Sequence, residues 1–362
     1  MKVTRELRFR GISLRLAAVL KSPRLSVMAL AMQFGEQATA QDAYRPLSLV
    51  PSDVTLARVD ELLQPWEIQP SAVDDIMPTT DEQARHVALI YSAARTLLLY
   101  HTLDGSGPLA IDKLEIAIAR LVARFSILRT VFMPHRNSFL QVVLKRSDTH
   151  TAVVEASNGD TLDMVCDRSV ENDVVEDLLF GTCLTRFIII HCKDQYRIVC
   201  RISHAQHDGM SIANMWTAFE ALCSTDRVPR APDNKHSFAQ HMRTLAKLDT
   251  PAALSHWQRL LNKSSPTRLK AQSTCQLNFD EGPSITSTIF EQSMRSIDYT
   301  FATVLKAAWA AVLAKFCAKQ DVVFGTLING RSEADAQEIL GPCSPDDDRQ
   351  RLSRAGPPCY CE

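Results

Sequence analysis

Between residues 186 and 219 the hydrophobic pattern changes period once, and that change predicts three elements. Residues 186–190 are a nearly unbroken apolar, β-branched run. Gln195–Ser203 sets Tyr196, Ile198, Cys200 and Ile202 against Arg197, Val199 and Arg201, close to a period of two. Both stretches predict strands, and Lys193-Asp194-Gln195 between them is short and polar enough for a hairpin turn. From Ser211 to Phe219 the apolar residues fall at helical spacing, with Ser211 placed as the helix cap. Upstream, Leu114, Ile118, Leu121, Val122 and Phe125 form one face of a helix over residues 112–125. Residues 128–132 and 139–144 then predict strands, joined by the polar turn His135-Arg136-Asn137-Ser138. Helices alternating with strands over this length predict an α/β protein, not a bundle or a sandwich.

Composition narrows the function classes. The chain has 362 residues, is 46% hydrophobic and carries a net charge of −1, enough for a substantial core in two lobes. Near neutrality without a basic stripe argues against a nucleic-acid partner. No apolar run approaches the roughly twenty residues of a membrane span, so no membrane partner is expected. The ten cysteines include no C-x-x-C pair. Cys192, Cys200 and Cys317 lie in apolar segments and read as reduced core residues of an intracellular, cytoplasmic protein. Zinc spacing, a phosphate-binding glycine loop and a Gly-x-Ser-x-Gly elbow are all missing, so no metal or bound cofactor is expected.

Where the strand ending at Ser203 gives way to the helix, the sequence reads Ser203-His204-Ala205-Gln206-His207-Asp208-Gly209. A histidine at a strand end beside a helix N-terminus can take a proton near neutral pH, where partial positive charge gathers. Asp208, four residues on, can turn inward and fix the loop through a charge-assisted pair. Gly209 would allow the backbone angles that send the chain from strand into helix. The plain alternative is a packed strand-end histidine without chemistry. For His207, a packing or exposed role is preferred to catalysis, and Trp216 and Phe219 read as helix core.

The segment resembles the active-site motif of nonribosomal peptide synthetase condensation domains, His-His-x-x-x-Asp-Gly, with Ser203 in place of the first histidine. The Ser-His-x-x-x-Asp-Gly-x-Ser form, which includes Ser211, is similar to fungal condensation domains. Other stretches agree in the expected order: Met77 to Gln83, Arg124 to Phe132, the Ala-Ala-Trp helix of residues 301–315, and Asp321 to Arg331. The resemblance implies a two-lobed, chloramphenicol acetyltransferase-like α/β fold over residues 74–342. The first lobe would span about 74–220, and a second, incomplete lobe about 221–342. It also implies His204 as the catalytic histidine, acting as general base or by positioning the nucleophile. Asp208 would hold the motif, with Arg331 as its partner, and the Gly209 N–H would assist the developing oxyanion. Ser203 and Ser211 would be structural or pocket-shaping. The implied reaction joins carrier-bound thioesters through an amide or ester. Substrates would arrive on phosphopantetheine arms of partner carrier domains, and no prosthetic group would be attached to this chain.

The flanks complete the expectations. Residues 1–40 resemble the C-terminal end of a peptidyl carrier domain, through the Ser-Pro-Arg-Leu-Ser turn at 22–26. A transit peptide is the other reading, since Arg5, Arg8, Arg10 and Arg15 accompany one acidic residue, Glu6, before Glu36. Residues 41–73 read as a linker. Residues 343–362, with Asp346-Asp347-Asp348 and Pro357-Pro358, read as a disordered or aberrant tail. Two rival functions remain. One is a coenzyme A-dependent acyltransferase, which would normally carry an Asp-Phe-Gly-Trp motif missing here. The other is a non-catalytic remnant that only docks a carrier protein.

Overall fold

The computed structural model describes residues 12–13, 24–30, 32–34, 44–54, 58–92, 97–107, 110–146, 151–157, 159–224, 237–248, 250–269, 301–326, 331, 338–343 and 351–355. It divides into two compact units. The first is Met1–Leu248 with Asn329–Asp347, and the second is Asp249–Ile328 with Asp348–Glu362.

In chain order, the first unit contains β1 (Val73–Pro78), α1 (Asp81–Ile90), β2 (Leu98–Ser106), α2 (Ile111–Arg124), β3 (Thr130–His135) and β4 (Ser138–Leu144). β5 (Thr151–Glu155), α3 (Leu162–Val175), β6 (Arg186–Cys192), β7 (Gln195–Ser203), α4 (Gly209–Cys223) and α5 (Phe238–Ala246) follow. Four strands form a sheet in the order β2-β7-β6-β5, antiparallel except that β5 runs parallel to β6. Three form a second sheet, β1-β4-β3, wholly antiparallel.

The two-residue period of β6 and β7 is used on both faces of the larger sheet. Phe187, Ile189, Ile198, Cys200 and Ile202 pack with Leu114, Ile118 and Leu121 of α2, Met215 and Phe219 of α4, and Phe238 and Met242 of α5. Ile188, Ile190 and Val199 face the other way, onto Val165 and Cys166 of α3. Arg201 also lies on that side and donates to both oxygens of Asp173 in α3. Tyr100 and Arg186 donate to the same carboxylate. A mixed sheet with helices against both faces is the α/β architecture the sequence pattern predicts.

Several boundaries differ from expectation. The stretch 41–73 is not a bare linker. Val54, Val59 and Leu63 pack with Ile76, Val131, Met133, Leu140 and Val142, covering one face of β1-β4-β3. Tyr44 Oη donates to Asp75 Oδ2 at 2.6 Å. Strand β3 begins at Thr130, because Ser126–Arg129 closes a 3-10 turn first. The first unit also runs past residue 220, because Phe238, Ala239 and Met242 of α5 bury themselves in the α2–α4 core. Cys200 is buried as expected, whereas Cys192 and Cys317 are half-buried; the seven cysteines among the described residues are all free.

The second unit holds α6 (Thr250–Leu260), α7 (Phe301–Cys317), β8 (Val322–Thr326) and β9 (Arg351–Ala355). β9 pairs antiparallel with β8, from Val322 opposite Ala355 to Thr326 opposite Arg351. Part of the expected disordered tail is therefore a strand. A two-stranded ladder needs only backbone donors and acceptors, so the lack of apolar alternation at 351–355 did not forbid it. The 22–23 turn of the expected carrier remnant and the Asn329-Gly330 turn lie outside the described residues. Leu25–Leu30 is a short helix, and Ile12–Ser13 pairs with Gln33–Phe34 as strands. No helix among the described residues is long and apolar enough to cross a membrane.

Candidate functional site

Strand β7 ends at Ser203, and the next five residues form a turn held from inside. The His204 N–H donates to the Leu97 carbonyl at 2.8 Å, continuing the β2–β7 ladder. Ser203 is fully buried, and its Oγ accepts from the Ala205 N–H at 2.9 Å. Of the two roles expected for Ser203, the structural one fits this geometry. Gln206 donates through Nε2 to the Ile127 carbonyl at 2.8 Å and to Thr185 Oγ1 at 3.2 Å. Gln83 of α1 reaches across to the Ala205 carbonyl at 2.9 Å. The turn is thus satisfied by side chains of α1 and of its own sequence, as buried backbone requires.

Helix α4 is capped by Asp208 rather than Ser211. Asp208 Oδ1 accepts from the Ser211 N–H at 2.9 Å, and the Ser211 hydroxyl lies 3.3 Å from the Asp208 N–H, completing a capping box. Ser211 thus sits at the third helical position. Gly209 is the first helical residue and is exposed; a Cβ there would meet nothing within 4 Å. Glycine is therefore not demanded by a left-handed backbone at this position. What the position offers is an N–H of the first helical turn, which has no partner within the helix.

Asp208 turns inward onto Arg331. One Arg331 guanidinium nitrogen, Nη2, lies 2.8 Å from Oδ1 and 2.9 Å from Oδ2. Its Nη1 donates to the Ile339 carbonyl at 2.7 Å, and Nη2 also reaches the Gly341 carbonyl at 2.9 Å. The Cys343 N–H donates to Asp208 Oδ2 at 3.1 Å, so residues 339–343 wrap the pair. Burial alone would raise the Asp208 pKa, but Arg331 and Ser211 outweigh it and hold the carboxyl below its usual range. Gly341 has φ +152°, and a Cβ there would sit 2.3 Å from Phe238 Cδ2. Gly341→Ala is accordingly expected to cost about 1–3 kcal/mol by overpacking. A urea midpoint unchanged from wild type would contradict this reading of the strap.

His204 is half-buried, and three further histidines surround it that the sequence pattern did not single out as a group. The His86 ring lies 4.6 Å from it, centroid to centroid, and the His207 ring stacks on it at 5.1 Å. His101 meets His207 edge-on at 5.1 Å. His207 Nδ1 is 2.9 Å from the Ser203 carbonyl, so the N–H belongs on Nδ1. Its bare Nε2 then accepts from His101 Nε2 at 3.3 Å. His207 is buried, and that burial depresses its pKa to about 4. Burial, followed by the nearby His204 charge, also lowers the His101 pKa. His86 is lowered by burial as well, against an opposing pull from Glu82, whose Oε1 is 2.6 Å from His86 Nε2. His204 therefore sits among three imidazoles whose neutral form is favoured. Among the described residues no group of three or more His, Cys, Asp or Glu is arranged to hold a metal ion.

A model of the Condensation domain family aligns with residues 74–343. The chain belongs to the condensation domain family. Nonribosomal peptide synthetase 4 of Gibberella zeae is 30% identical over 313 residues, covering 84% of this chain. Nonribosomal peptide synthetase nlsA of Emericella nidulans is 33% identical over 306 residues, covering 83%. This condensation domain and its flanks span only 4% and 5% of those two proteins. Among solved structures, the crystal structure of holo T3CT superposes with a TM-score of 0.62 at 24% identity, over 86% of this chain and 68% of that one. The condensation domain of the Monacolin K polyketide synthase MokA gives 0.54 at 15% identity, over 79% of this chain and 68% of that one. These two likenesses establish the condensation-domain fold.

Proposed function

We propose that this condensation domain works within a fungal-type nonribosomal peptide synthetase, joining an acyl group to a nucleophile carried by a partner. The observation that carries the reading is the division of labour at the end of β7. The Asp208 carboxylate is committed to Arg331 and the α4 cap, while His204, four residues earlier, stays half-exposed. In the reaction an amine nitrogen attacks the carbonyl of an acyl thioester, and the C–N bond forms as the C–S bond breaks. His204 accepts the proton that the amine loses, or holds the amine in place and steadies its positive charge. The departing thiolate takes up the proton that the amine gave up and leaves as the free phosphopantetheine thiol of the donor carrier. The exposed N–H of Gly209, at the positive end of α4, supports charge developing on the carbonyl oxygen. Partner carrier domains deliver both substrates on their phosphopantetheine arms.

The test is formation of the condensed product from loaded donor and acceptor carriers by the complete parent synthetase, with and without His204→Ala. Product from the wild type alone supports the reading. Equal product from both overturns it, as does carrier binding without any product from the wild type.

A further inference from the structure

Glu82, His86 and His204 form a line from the α1 surface to the site. Glu82 is the second residue of α1, and His86 lies one turn later on the same face. His86 is 5% exposed. Its Nε2 sits 2.6 Å from Glu82 Oε1, which places the N–H there and leaves Nδ1 bare. The Nδ1 atoms of His86 and His204 are both buried, and neither makes a hydrogen bond of standard geometry among the described residues, although the His204 backbone lies close enough to act on His86 as a hydrogen-bonding group. An unpaired buried nitrogen is costly, and here two occur on rings in contact.

We propose that His86 is a positioning residue for His204: it accepts the His204 Nδ1–H when His204 carries a proton on Nε2, with Glu82 fixing the His86 tautomer. This rests on the catalytic reading of His204 given above. Such bonds are commonly long in the resting protein and tighten when charge develops. The arrangement follows the general logic of a base oriented by a second group, itself oriented by a third. No proton passes beyond His204. The Nδ1–H stays on His204, the Nε2–H stays on His86, and the Glu82 charge offsets the imidazolium through the neutral ring between them.

Arg85 of α1 donates to Glu82 and lies 3.3 Å from His86 Nε2, so it tempers the Glu82 charge. His207 of the turn stacks on His204, His101 of β2 meets His207, and burial favours the neutral form of both. Asp208 is neutralised by Arg331.

The deciding experiment is an NMR titration of the His204 ring in the 362-residue chain, which needs no turnover. It therefore separates failure of this proposal from failure of the catalytic reading. His86→Phe keeps a ring in place but removes the acceptor, and it should lower the His204 midpoint, weakening proton binding by about threefold or more. Glu82→Gln, on the helix surface, should lower it by less and serves as the second variant if His86→Phe does not fold. An unchanged midpoint would show mere packing, and a raised one would show that His86 carries a competing charge. Either result overturns the proposal.

Discussion

Arg331→Met is expected to destabilise the first unit by about 3–5 kcal/mol, the cost of leaving one member of a buried ion pair without its partner. Arg331 is 2% exposed and binds the Asp208 carboxylate, the Ile339 carbonyl and the Gly341 carbonyl, so one substitution removes the carboxylate's buried cation and a donor from each carbonyl. Arg331→Lys should recover only part of the loss, since an ammonium cannot reproduce the planar fork. The loss should also depend on pH. The folded carboxyl of Asp208 is depressed, so its stabilising contribution is complete above the ordinary carboxylate value of about 3.9 and falls away as pH drops through the lower, folded value. In Arg331→Met the depression is gone, so the stability gap between variant and wild type should narrow below about pH 4. Urea unfolding at pH 7 and at progressively lower pH, followed by circular dichroism, checks both statements. A gap that stays constant into acid would show that the pair is not the source of the loss.

The second large effect is kinetic. His204→Ala in the complete synthetase should lower the rate of condensation by about 10²–10⁴, the usual contribution of a positioned acid–base group. The fold should tolerate it. His204 is only partly buried, its Nδ1 makes no hydrogen bond of standard geometry among the described residues, and the turn is held by Ser203, Gln83 and Gln206 instead. His207→Ala makes the contrast. It removes the Ser203 carbonyl partner and a buried ring, so it should lower the melting temperature as well as the rate. Measuring both quantities for both variants separates chemistry from architecture. A His204→Ala protein that unfolds as readily as His207→Ala would point to a structural histidine.

These expectations draw unevenly on sequence and structure. The β6–β7 hairpin was legible because Ile198, Cys200 and Ile202 alternate with Val199 and Arg201, and because Lys193, with φ +55°, closes the turn where the polarity changes. The motif from Ser203 to Gly209 was legible because it is local. The cap was not, since Asp208 and Ser211 are both good capping residues, and the carboxylate that caps the helix also pairs with an arginine 123 positions away. The extra histidines were also out of reach. His101 touches His207 across 106 residues, and nothing in the spacing of α1 or β2 marks His86 or His101 as neighbours of the motif. The stretch around Val54, Val59 and Leu63 lies in residues 41–73, which read as a linker. Its few apolar residues suffice to cover a small sheet face, which composition averages away. The strand at 351–355 is paired to β8 by a backbone ladder, which no side-chain period announces.

The separation of Asp208 from Arg331 has a consequence in time. The two residues are 123 positions apart, and a ribosome adding about 5–20 residues per second needs about 6–25 seconds to get from one to the other. Through that interval the carboxylate has its helix cap but not its cation, and the 339–343 strap that covers it has not been made. The motif at the end of β7 is therefore synthesised early and completed late, and a nascent chain carries it open until Arg331 emerges.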